Sequence, residues 1–430
     1  MPLDLTMLLV LLVLLLSTAR SYRTTINSNI NSNSNININI NSNINSNINI
    51  RTSTVLSLSS LTSSNFIFVT CQAGVEKIVK LEVASQYPDL RIAFSRKGLL
   101  TFKAPTELDD DVEISSIFTK HSGKSIGMTT VEEALALART LSSDVYKTKL
   151  RLHVYGRDLG GQRTEHPLFI KERSQQIEDI KTKLYDDAIF LPRNHDDRSN
   201  EKDVVFNVIV GDVDEKLFCG LNLGKHTSNG YPGKIFPLKL PNEAPSRAWL
   251  KIEEAVKFIK VLYPDMTISP NEIAVEIGSA PGGACYSLLN TFGLKVYGVD
   301  PCPPDRQHDR IIKQNSNFNE IKGTLQSVTR AQLPRECHWL LCDANISPTE
   351  ALSKLILMMN HYSGTLKGFF YTCKLNDEYW DKERELLKCL QEMRAGIKSE
   401  VKACEDVVFT QLAANRKEVL CFVKMAAFNM

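Results

Sequence analysis

A glycine-rich turn between a predicted strand and a predicted helix is the clearest sign of chemistry in this chain. The segment Ile273–Gly283 reads as an apolar strand, a turn that contains Gly278, Gly282 and Gly283, and the start of a helix. Glycines in such a turn let a ligand approach the backbone closely. The spacing is not the GxGxxG of dinucleotide-binding proteins, and no Gly-Lys-Ser/Thr follows. Neither a nucleotide-linked dehydrogenase nor a P-loop protein is therefore favoured.

Two acidic residues lie at the ends of consecutive predicted strands beside this turn. Glu276 lies at the end of the first strand, where its carboxylate could organise the turn or meet an amino group of the ligand. Asp300 ends the second strand, and an acid there usually binds two ribose hydroxyls. The two acids and the glycine turn together predict a site for an adenosine ligand with a cationic tail.

Two lysines and two further acids form a second set of candidates. Asp343 and Lys374 each follow an apolar predicted strand, Lys251 opens a predicted helix, and Glu418 begins the last predicted strand. An ion at the end of a buried strand is costly unless it is paired. Each of the four alone is more often structural than catalytic, so their interest lies in the combination.

The elements that must position these residues alternate between strands and helices from about residue 242 onward. Such alternation predicts an α/β domain with a doubly wound, mostly parallel sheet, whose ligands bind beyond the carboxyl ends of the strands. The predicted strands are Glu272–Ile277, Lys295–Val299, Arg310–Lys313, Cys337–Cys342, Lys367–Cys373, Val401–Val408 and Glu418–Lys424. The predicted helices are Trp249–Leu262, Gly283–Phe292, Thr349–Tyr362 and Asp377–Met393.

The middle of the chain mixes short strands with helices, which predicts one or two small α+β units. The predicted strands are Phe66–Thr70, Leu90–Phe94, Gly98–Phe102, Lys149–Tyr155, Asp203–Val210 and Leu217–Leu223, and the predicted helices are Gly74–Ser85 and Val131–Leu141. The last two strands are expected to pair with each other. A concentration of basic residues suggests an RNA-facing surface, although a solvated charged face is the better interpretation on composition alone. These residues are Lys147, Lys149, Arg151, Arg157 and Arg163.

The composition limits the class of protein but does not decide its function. A chain of 430 residues predicts two or three domains, and its formal net charge of +2 means that nucleic-acid binding would need a local basic face. The ten cysteines include no CxxC and no cysteine–histidine spacing typical of zinc sites. They are expected to be reduced and mostly buried, and no metal ligands are predicted.

The first 64 residues resemble a targeting and low-complexity segment rather than a folded domain. An apolar run at residues 7–16 has the length of a signal-peptide core, too short to span a bilayer. An Ile-Asn-Ser tract, nearly free of acids, then resembles an organelle transit peptide and is expected to be unfolded. The segment suggests a eukaryotic organelle, plastid or mitochondrion, and the mature protein is expected to have no stable membrane association. A cytoplasmic location follows if the segment is not a targeting signal.

The combination of Lys251, Asp343, Lys374 and Glu418 resembles the Lys-Asp-Lys-Glu tetrad of the FtsJ-like ribose 2′-O-methyltransferases. The resemblance is closer still to one branch, the bacterial large-subunit rRNA cytidine 2′-O-methyltransferase M family. It rests on the stretches 244–255, 274–283 and 416–419, with looser similarity at 71–76 and 231–241. The resemblance implies a Rossmann-like methyltransferase domain at 242–430, a ferredoxin-like domain at 65–145 and a THUMP-like RNA-binding region at 146–241.

The resemblance also implies roles for individual residues. Lys374 would be the general base and Lys251, Asp343 and Glu418 would complete the tetrad. S-adenosyl-L-methionine (SAM) would be the methyl donor and large-subunit ribosomal RNA the partner. The residues that would contact SAM are Ser246, Ala280, Pro281, Gly282, Gly283, Asp300 and Asp343.

The chain departs from the family pattern at two places. Glu276 replaces the usual aspartate, and no acid follows the third strand predicted at Arg310–Lys313, where only Ser316 or Asn317 could hydrogen-bond the cofactor. A non-catalytic RNA-binding protein that keeps the fold is therefore the main alternative. A SAM enzyme acting on a base or a protein is a second, disfavoured because the sequence after Asp343 is not an Asn/Asp-Pro-Pro-aromatic motif.

Overall fold

The computed structural model describes residues 64–160, 171–194, 197–212, 214–224, 229–375 and 382–426, with the side chains of 171–173 left aside. The predicted targeting segment up to residue 63, Arg163 and the beginning of the predicted helix Asp377–Met393 lie outside these ranges. Among the helices within them, none is long and apolar enough to cross a membrane.

Strands and helices alternate along most of the described chain. The strands are β1 Phe66–Cys71, β2 Arg91–Arg96, β3 Leu99–Lys103, β4 Thr119–Thr129, β5 Arg151–Gly156, β6 Val204–Val210, β7 Leu217–Leu223, β8 Ile273–Ile277, β9 Lys295–Asp300, β10 Phe318–Lys322, β11 Trp339–Cys342, β12 Gly368–Lys374, β13 Cys404–Thr410 and β14 Glu418–Met425. The helices are α1 Glu76–Gln86, α2 Val131–Thr140, α3 Lys171–Tyr185, α4 Ala248–Leu262, α5 Gly283–Tyr286, α6 Arg310–Lys313, α7 Pro348–His361 and α8 Glu383–Glu400.

The N-terminal half of the described chain forms one sheet in the order β2-β3-β1-β4-β7-β6-β5. Its first four strands pair antiparallel in the order 2-3-1-4, as in a ferredoxin-like domain, but no helix lies between β3 and β4. The predicted pairing of Leu217–Leu223 with the preceding strand is confirmed, because β7 pairs antiparallel with β6. Since β4 also pairs with β7, strands of both predicted small domains share this sheet.

The C-terminal half forms a second sheet in the order β10-β9-β8-β11-β12-β14-β13. The first five strands are parallel, and β14 inserts antiparallel between β12 and β13. This is a doubly wound sheet whose strand order reverses between β8 and β11, and the predicted Rossmann-like methyltransferase fold is confirmed. Ligands of such sheets bind at the reversal point, beyond the carboxyl ends of β8 and β11.

Side chains alternate between the two faces of the second sheet, as strand geometry requires. In β11, Leu340 and Cys342 pack with α7 and α8, whereas Trp339 and Leu341 pack with α4 and α5. Helices therefore cover both faces, so the strands are apolar nearly throughout. The layer that contains Leu340 also includes Ile67, Val69 and other residues of the first sheet, and thus one hydrophobic core joins the two halves.

The third strand of the second sheet is not where the sequence predicted it. Arg310–Lys313 is the short helix α6, and Asp309 caps its N-terminus because the Asp309 carboxylate accepts a hydrogen bond from the backbone N–H of Ile311. The strand is instead β10, Phe318–Lys322, which pairs parallel with β9 at the edge of the sheet. Only Ile321 of β10 is buried, so an apolar pattern does not reveal this strand.

Two arginines of the predicted RNA-facing group are structural. Arg151 is buried, and its guanidinium donates hydrogen bonds to Asp203 (3.0 Å) and to the Pro192 carbonyl (3.0 Å). Arg157 is also buried and forms an ion pair with Glu215. Lys147 and Lys149 are exposed. The group is therefore not one basic surface, because ion pairs inside the N-terminal half engage part of it.

Candidate active site

The four predicted tetrad residues converge although 167 positions separate Lys251 from Glu418. Lys251 lies in the first turns of α4, Asp343 follows β11, Lys374 ends β12 and Glu418 begins β14. Lys374 and Glu418 are opposite each other in the antiparallel pair of β12 and β14. The fold thus explains why a residue at the end of one strand and a residue at the start of another meet at the same edge.

Positive and negative charges alternate around the tetrad. The Lys374 ammonium lies 2.5 Å from a carboxylate oxygen of Asp343 and 2.5 Å from one of Glu418. The Lys251 ammonium bridges the same two acids, 3.2 Å from Asp343 and 2.9 Å from Glu418. Each side chain remains between 18% and 22% exposed, so a substrate hydroxyl can reach the cluster.

The surrounding charges keep Lys374 protonated. Burial alone would lower the pKa of Lys374, but the carboxylates of Asp343 and Glu418 outweigh it and raise the pKa well above the usual lysine value. Burial likewise tends to raise the pKa of Glu418, but the two lysine ammonium groups outweigh it and lower the pKa. The protonation balance that the sequence left open therefore favours an ammonium at Lys374 in the free protein.

The glycine turn brings the backbone of three segments into contact. Gly278 has a φ of 81°, and a Cβ atom there would lie 2.6 Å from the backbone nitrogen of Ala344, directly after the tetrad acid. Gly282 has a φ of 110°. A Cβ atom at Gly283 would lie 2.6 Å from the carbonyl oxygen of Ser246, in the segment that leads into α4. The predicted contact residues Ser246, Ala280, Pro281, Gly282 and Gly283 therefore lie together beside the ends of β8 and β11.

Glu276 is buried beneath the turn. Its carboxylate accepts a hydrogen bond from the Cys285 thiol at 2.8 Å. Burial, added to the nearby charges of Asp343 and Asp300, raises the pKa of Glu276 to about 8. A carboxyl group in this environment is predominantly protonated at neutral pH and would ionise more readily beside a cationic ligand.

Asp300 is fully buried and its oxygens have partners in the chain. It accepts hydrogen bonds from the backbone N–H groups of Ala280 (3.2 Å) and Cys302 (2.9 Å), and Arg306 forms an ion pair with it at 3.2 Å. Asp300 thus organises the turn and the following loop. The predicted contact with ribose hydroxyls stays a prediction, and it requires the half-exposed Arg306 to move.

A pocket of about 390 Å³, open to solvent, lies between α4 and the ends of β8, β11 and β12. Lys251, Glu276 and Asp343 line it, as do Thr372 and Asn415, which the sequence analysis did not single out. Asn415 donates a hydrogen bond to Glu418 at 3.3 Å, and its own side-chain oxygen is buried without a hydrogen-bond partner. The feature of the sequence that could have identified Asn415 is its position three residues before Glu418.

The end of the third strand carries no acid, as the sequence indicated, although the strand itself lies elsewhere. After β10 the chain continues through residues 323–328 without an acidic side chain. The acid within β10, Glu320, bonds to His308 rather than facing the pocket. The structure therefore also lacks an acid at the position after the third strand, where the family pattern has one.

Comparison with known proteins finds similarity over the C-terminal half. The FtsJ-like methyltransferase family matches residues 244–388, a stretch that contains Lys251, Asp343 and Lys374 but ends before Glu418. The chain is 26% identical to "Ribosomal RNA large subunit methyltransferase M" of Histophilus somni over 44% of this chain and 49% of that protein. It is 30% identical to the protein of the same description from Azotobacter vinelandii, over 48% of this chain and 55% of that protein.

The chain therefore spans about half the length of the curated relatives that it matches. Among solved structures, a putative hemolysin from Streptococcus thermophilus has a TM-score of 0.33 and 16% identity, over 49% of this chain and 71% of that one. The fold assignment accordingly rests on the strand order and on the similarity to FtsJ-like methyltransferases.

Proposed function

We propose that the protein transfers a methyl group from SAM to a ribose 2′-hydroxyl of RNA, with large-subunit ribosomal RNA as the substrate. The observation that carries this proposal is the tetrad of alternating charges, of which Lys251 and Asp343 line the pocket. Lys374 and Lys251 are each held between Asp343 and Glu418, at the edge of the sheet where ligands bind. The similarity to rRNA large-subunit methyltransferases supports the choice of substrate.

The residues around the glycine turn fit SAM. Glu276 and Ala284, on either side of the turn, line the pocket, which contains the buried carboxyl of Glu276 and the more exposed carboxylate of Asp343. These acids suit a ligand that carries a sulfonium and an ammonium group. Ser246, the segment Ala280–Gly283 and Asp300 would hold the rest of the molecule. When bound, SAM supplies an electrophilic methyl group.

Catalysis by the chain itself would consist mainly of positioning. Lys374 is pinned by two carboxylates, so its ammonium can donate a fixed hydrogen bond to the ribose hydroxyl and aim the oxygen lone pair for in-line attack. The hydroxyl proton would become strongly acidic as the new C–O bond forms and the bond between the methyl carbon and the sulfonium sulfur breaks, which leaves a neutral thioether. A carboxylate or water can then accept the proton late in the step, and Lys374 need not be neutral at the start.

The N-terminal sheet would bind the RNA. Its ferredoxin-like strand order, and the THUMP-like similarity proposed for residues 146–241, are the support for this role. We further propose that residues 1–64 direct the protein to a plastid or mitochondrion. Fusing this segment to a fluorescent protein tests that proposal, and uniform cytoplasmic fluorescence would contradict it.

The decisive experiment is transfer of tritiated methyl from SAM to protein-free large-subunit rRNA. Label at one alkali-resistant linkage is expected for the wild type, and none for Lys374→Ala, whose affinity for SAM should stay within several-fold. Lys388→Ala removes a lysine from the exposed face of α8 and is the matched control that should keep full activity. Turnover retained by Lys374→Ala would refute the role of that lysine.

A non-catalytic RNA-binding protein is the second candidate function. The ion pair between Arg306 and Asp300 and the absence of an acid after β10 favour it. The same experiment separates the two candidates. Absence of SAM binding by the wild type would favour the non-catalytic protein, whereas SAM binding without labelling of any rRNA would indicate a different RNA substrate.

A further inference from the structure

Three side chains with metal-binding atoms meet between the loop after β9 and the edge strand β10. Cys302 and His308 belong to the loop that follows β9, and Glu320 belongs to the edge strand β10. The Cys302 sulfur lies 3.4 Å from Nδ1 of His308 and 3.6 Å from a carboxylate oxygen of Glu320, and the last two atoms are 2.7 Å apart. All three donor atoms thus lie within 4.8 Å of one another.

The separations of these atoms resemble the edges of a zinc coordination tetrahedron. With bond lengths of about 2.3 Å to sulfur and about 2.0 Å to nitrogen and oxygen, tetrahedral angles place sulfur about 3.5 Å from each of the other ligands and nitrogen about 3.3 Å from oxygen. The two sulfur distances already match. Only the His308–Glu320 pair would have to widen, by the loss of its hydrogen bond and a small rotation of a partly exposed glutamate.

The surroundings of His308 fix the ring as they do in metal sites. Its Nε2 lies 2.8 Å from the hydroxyl of Ser279, and Phe318 packs edge-on against the ring with centroids 4.9 Å apart. A metal-bound histidine characteristically uses its second nitrogen in such a hydrogen bond, which orients the ring and selects the tautomer. The Nδ1 atom then faces the thiol and the carboxylate.

Access and charge also suit a bound cation. Cys302 and His308 are buried, whereas the Glu320 side chain is 27% exposed, which leaves one side of the cluster open for entry and for a fourth ligand. Lys313 is the competing cation, 3.8 Å from Glu320, but its side chain is 41% exposed and can turn into solvent.

We propose that Cys302, His308 and Glu320 bind one zinc-class divalent cation. A mixed sulfur, nitrogen and oxygen set favours this class over magnesium or calcium, which prefer oxygen ligands alone. Bound there, the ion would tie the loop that carries Arg306 to β10, next to Asp300. Sequence spacing did not reveal the set, because its members are 6 and 12 positions apart and no pair of cysteines is involved. This site does not depend on whether the domain transfers methyl groups.

Cobalt titration of the reduced, chelator-treated full chain tests the proposal. We expect one equivalent of Co²⁺ to produce the visible bands of tetrahedral cobalt together with a near-ultraviolet thiolate-to-cobalt charge-transfer band, and one equivalent of Zn²⁺ to remove both. Absence of these bands at stoichiometric cobalt would overturn the proposal.

Matched variants locate the ion. Cys302→Ser should abolish the charge-transfer band, whereas Cys404→Ser, which removes a half-buried thiol of β13, should leave it unchanged. Glu320→Gln changes a partly exposed side chain, so the fold should survive while the affinity for cobalt falls at least about tenfold. A charge-transfer band that persists in Cys302→Ser, or an affinity unaffected by Glu320→Gln, would show that the ion binds elsewhere.

Discussion

At the scale of single residues, alternation of charge is what allows four ions to share one partly buried site. Each ammonium group of Lys251 and Lys374 faces two carboxylates, and each carboxylate faces two ammonium groups. The tetrad is neutral overall, so desolvation is compensated without a net charge in the pocket. The same arrangement raises the pKa of Lys374, so its side chain is a charged hydrogen-bond donor in the free protein at neutral pH.

Glu276 provides a test of the electrostatics beneath the glycine turn. Its pKa is raised from 4.5 to about 8 in the folded protein by burial and by neighbouring acids. A raised pKa stabilises the fold fully below pH 4.5, and this contribution is lost as the pH rises towards 8, at up to about 1.4 kcal/mol per pH unit. Glu276→Gln cannot ionise, so its unfolding free energy relative to the wild type should increase between pH 5 and pH 8.

Urea unfolding of the ligand-free protein at several pH values measures this difference. Glu272→Gln is an informative control, because the pKa of Glu272 is lowered despite its burial, mainly through Lys367 and Trp339. That variant should lose stability relative to the wild type above pH 4.5. Parallel pH curves for the wild type and Glu276→Gln would show that Glu276 is ionised in the folded protein.

Arg306 provides a test of the proposed ribose contact at Asp300. Its guanidinium pairs with the carboxylate that would have to accept two ribose hydroxyls. Because the guanidinium is half exposed, the pair stabilises by about 1 kcal/mol or less, so Arg306→Ala should tighten SAM binding by at most about fivefold. Asp300→Asn should weaken it. Isothermal titration calorimetry measures both, and weaker binding by Arg306→Ala would mean that the arginine itself contacts the cofactor.

At the scale of secondary-structure elements, the sequence revealed strands that are buried on both faces and missed those that are not apolar. The strands β8, β11 and β12 are nearly continuous apolar runs, so both their positions and the charged residues at their ends could be predicted. The edge strand β10 has one buried residue and was misplaced onto α6. The central strand β4 was missed because lysine, histidine and serine dominate it, although its neighbours bury most of its centre.

The same contrast holds for the candidate active site: residues at the ends of regular elements could be predicted from the sequence, and residues in irregular loops could not. The tetrad could be assembled from the sequence because each member sits at the end of a recognisable element. The pairing of Arg306 with Asp300 and the contact of His308 with Ser279 could not, because Arg306 and His308 belong to an irregular loop whose path depends on tertiary contacts. Asn415 lies in a similar loop, between β13 and β14.

This β13–β14 loop is held by the N-terminal half of the molecule. The side-chain amide of Gln72 donates hydrogen bonds to the carbonyls of Leu412 (2.8 Å) and Asn415, and the backbone N–H of Gln411 donates to Ile117 at 2.8 Å. On the opposite side, Glu254 of α4 accepts hydrogen bonds from the backbone N–H groups of Ala413 and Ala414. The loop is therefore fixed from both sides directly before Glu418.

Gln72 does not line the pocket itself, and Gln72→Ala should lower turnover through this loop. Loss of the amide removes one donor from the Leu412 carbonyl and the side-chain donor of the Asn415 carbonyl, and it lets Asn415 and Glu418 shift. We therefore expect kcat to fall about tenfold while the affinity for SAM changes less than twofold. Gln86→Ala, at the exposed end of α1, is the control and should behave as the wild type. Equal kcat for Gln72→Ala and the control would show that the loop keeps its position without Gln72.

At the scale of the whole molecule, the two sheets are parts of one folded body. Residues of β1 and α1 belong to the same hydrophobic core as β8, β11 and α8, and Arg416 next to the tetrad forms an ion pair with Asp158 of the N-terminal half at 2.7 Å. A boundary at residue 242, drawn from the sequence pattern, separates two topologies but cuts through this shared core. RNA bound by the first sheet would thus be presented at a fixed position relative to the tetrad.

The stability of the C-terminal half alone measures how much this shared core contributes to the stability of the whole protein. A fragment of residues 242–430 would expose the faces of α8 and of the β13–β14 loop that pack against the first sheet, and each fully buried aliphatic side chain returned to water costs about 1.5–3 kcal/mol. We expect its Tm to lie at least several degrees below that of a fragment of residues 65–430, with increased binding of a hydrophobic dye and a reduced affinity for SAM. The longer fragment keeps both sheets and should match the full chain. If the short fragment had the same Tm and the same SAM affinity as the longer one, the two halves would be energetically independent. Gln72→Ala, which acts from the N-terminal half, would then be expected to have no effect on turnover.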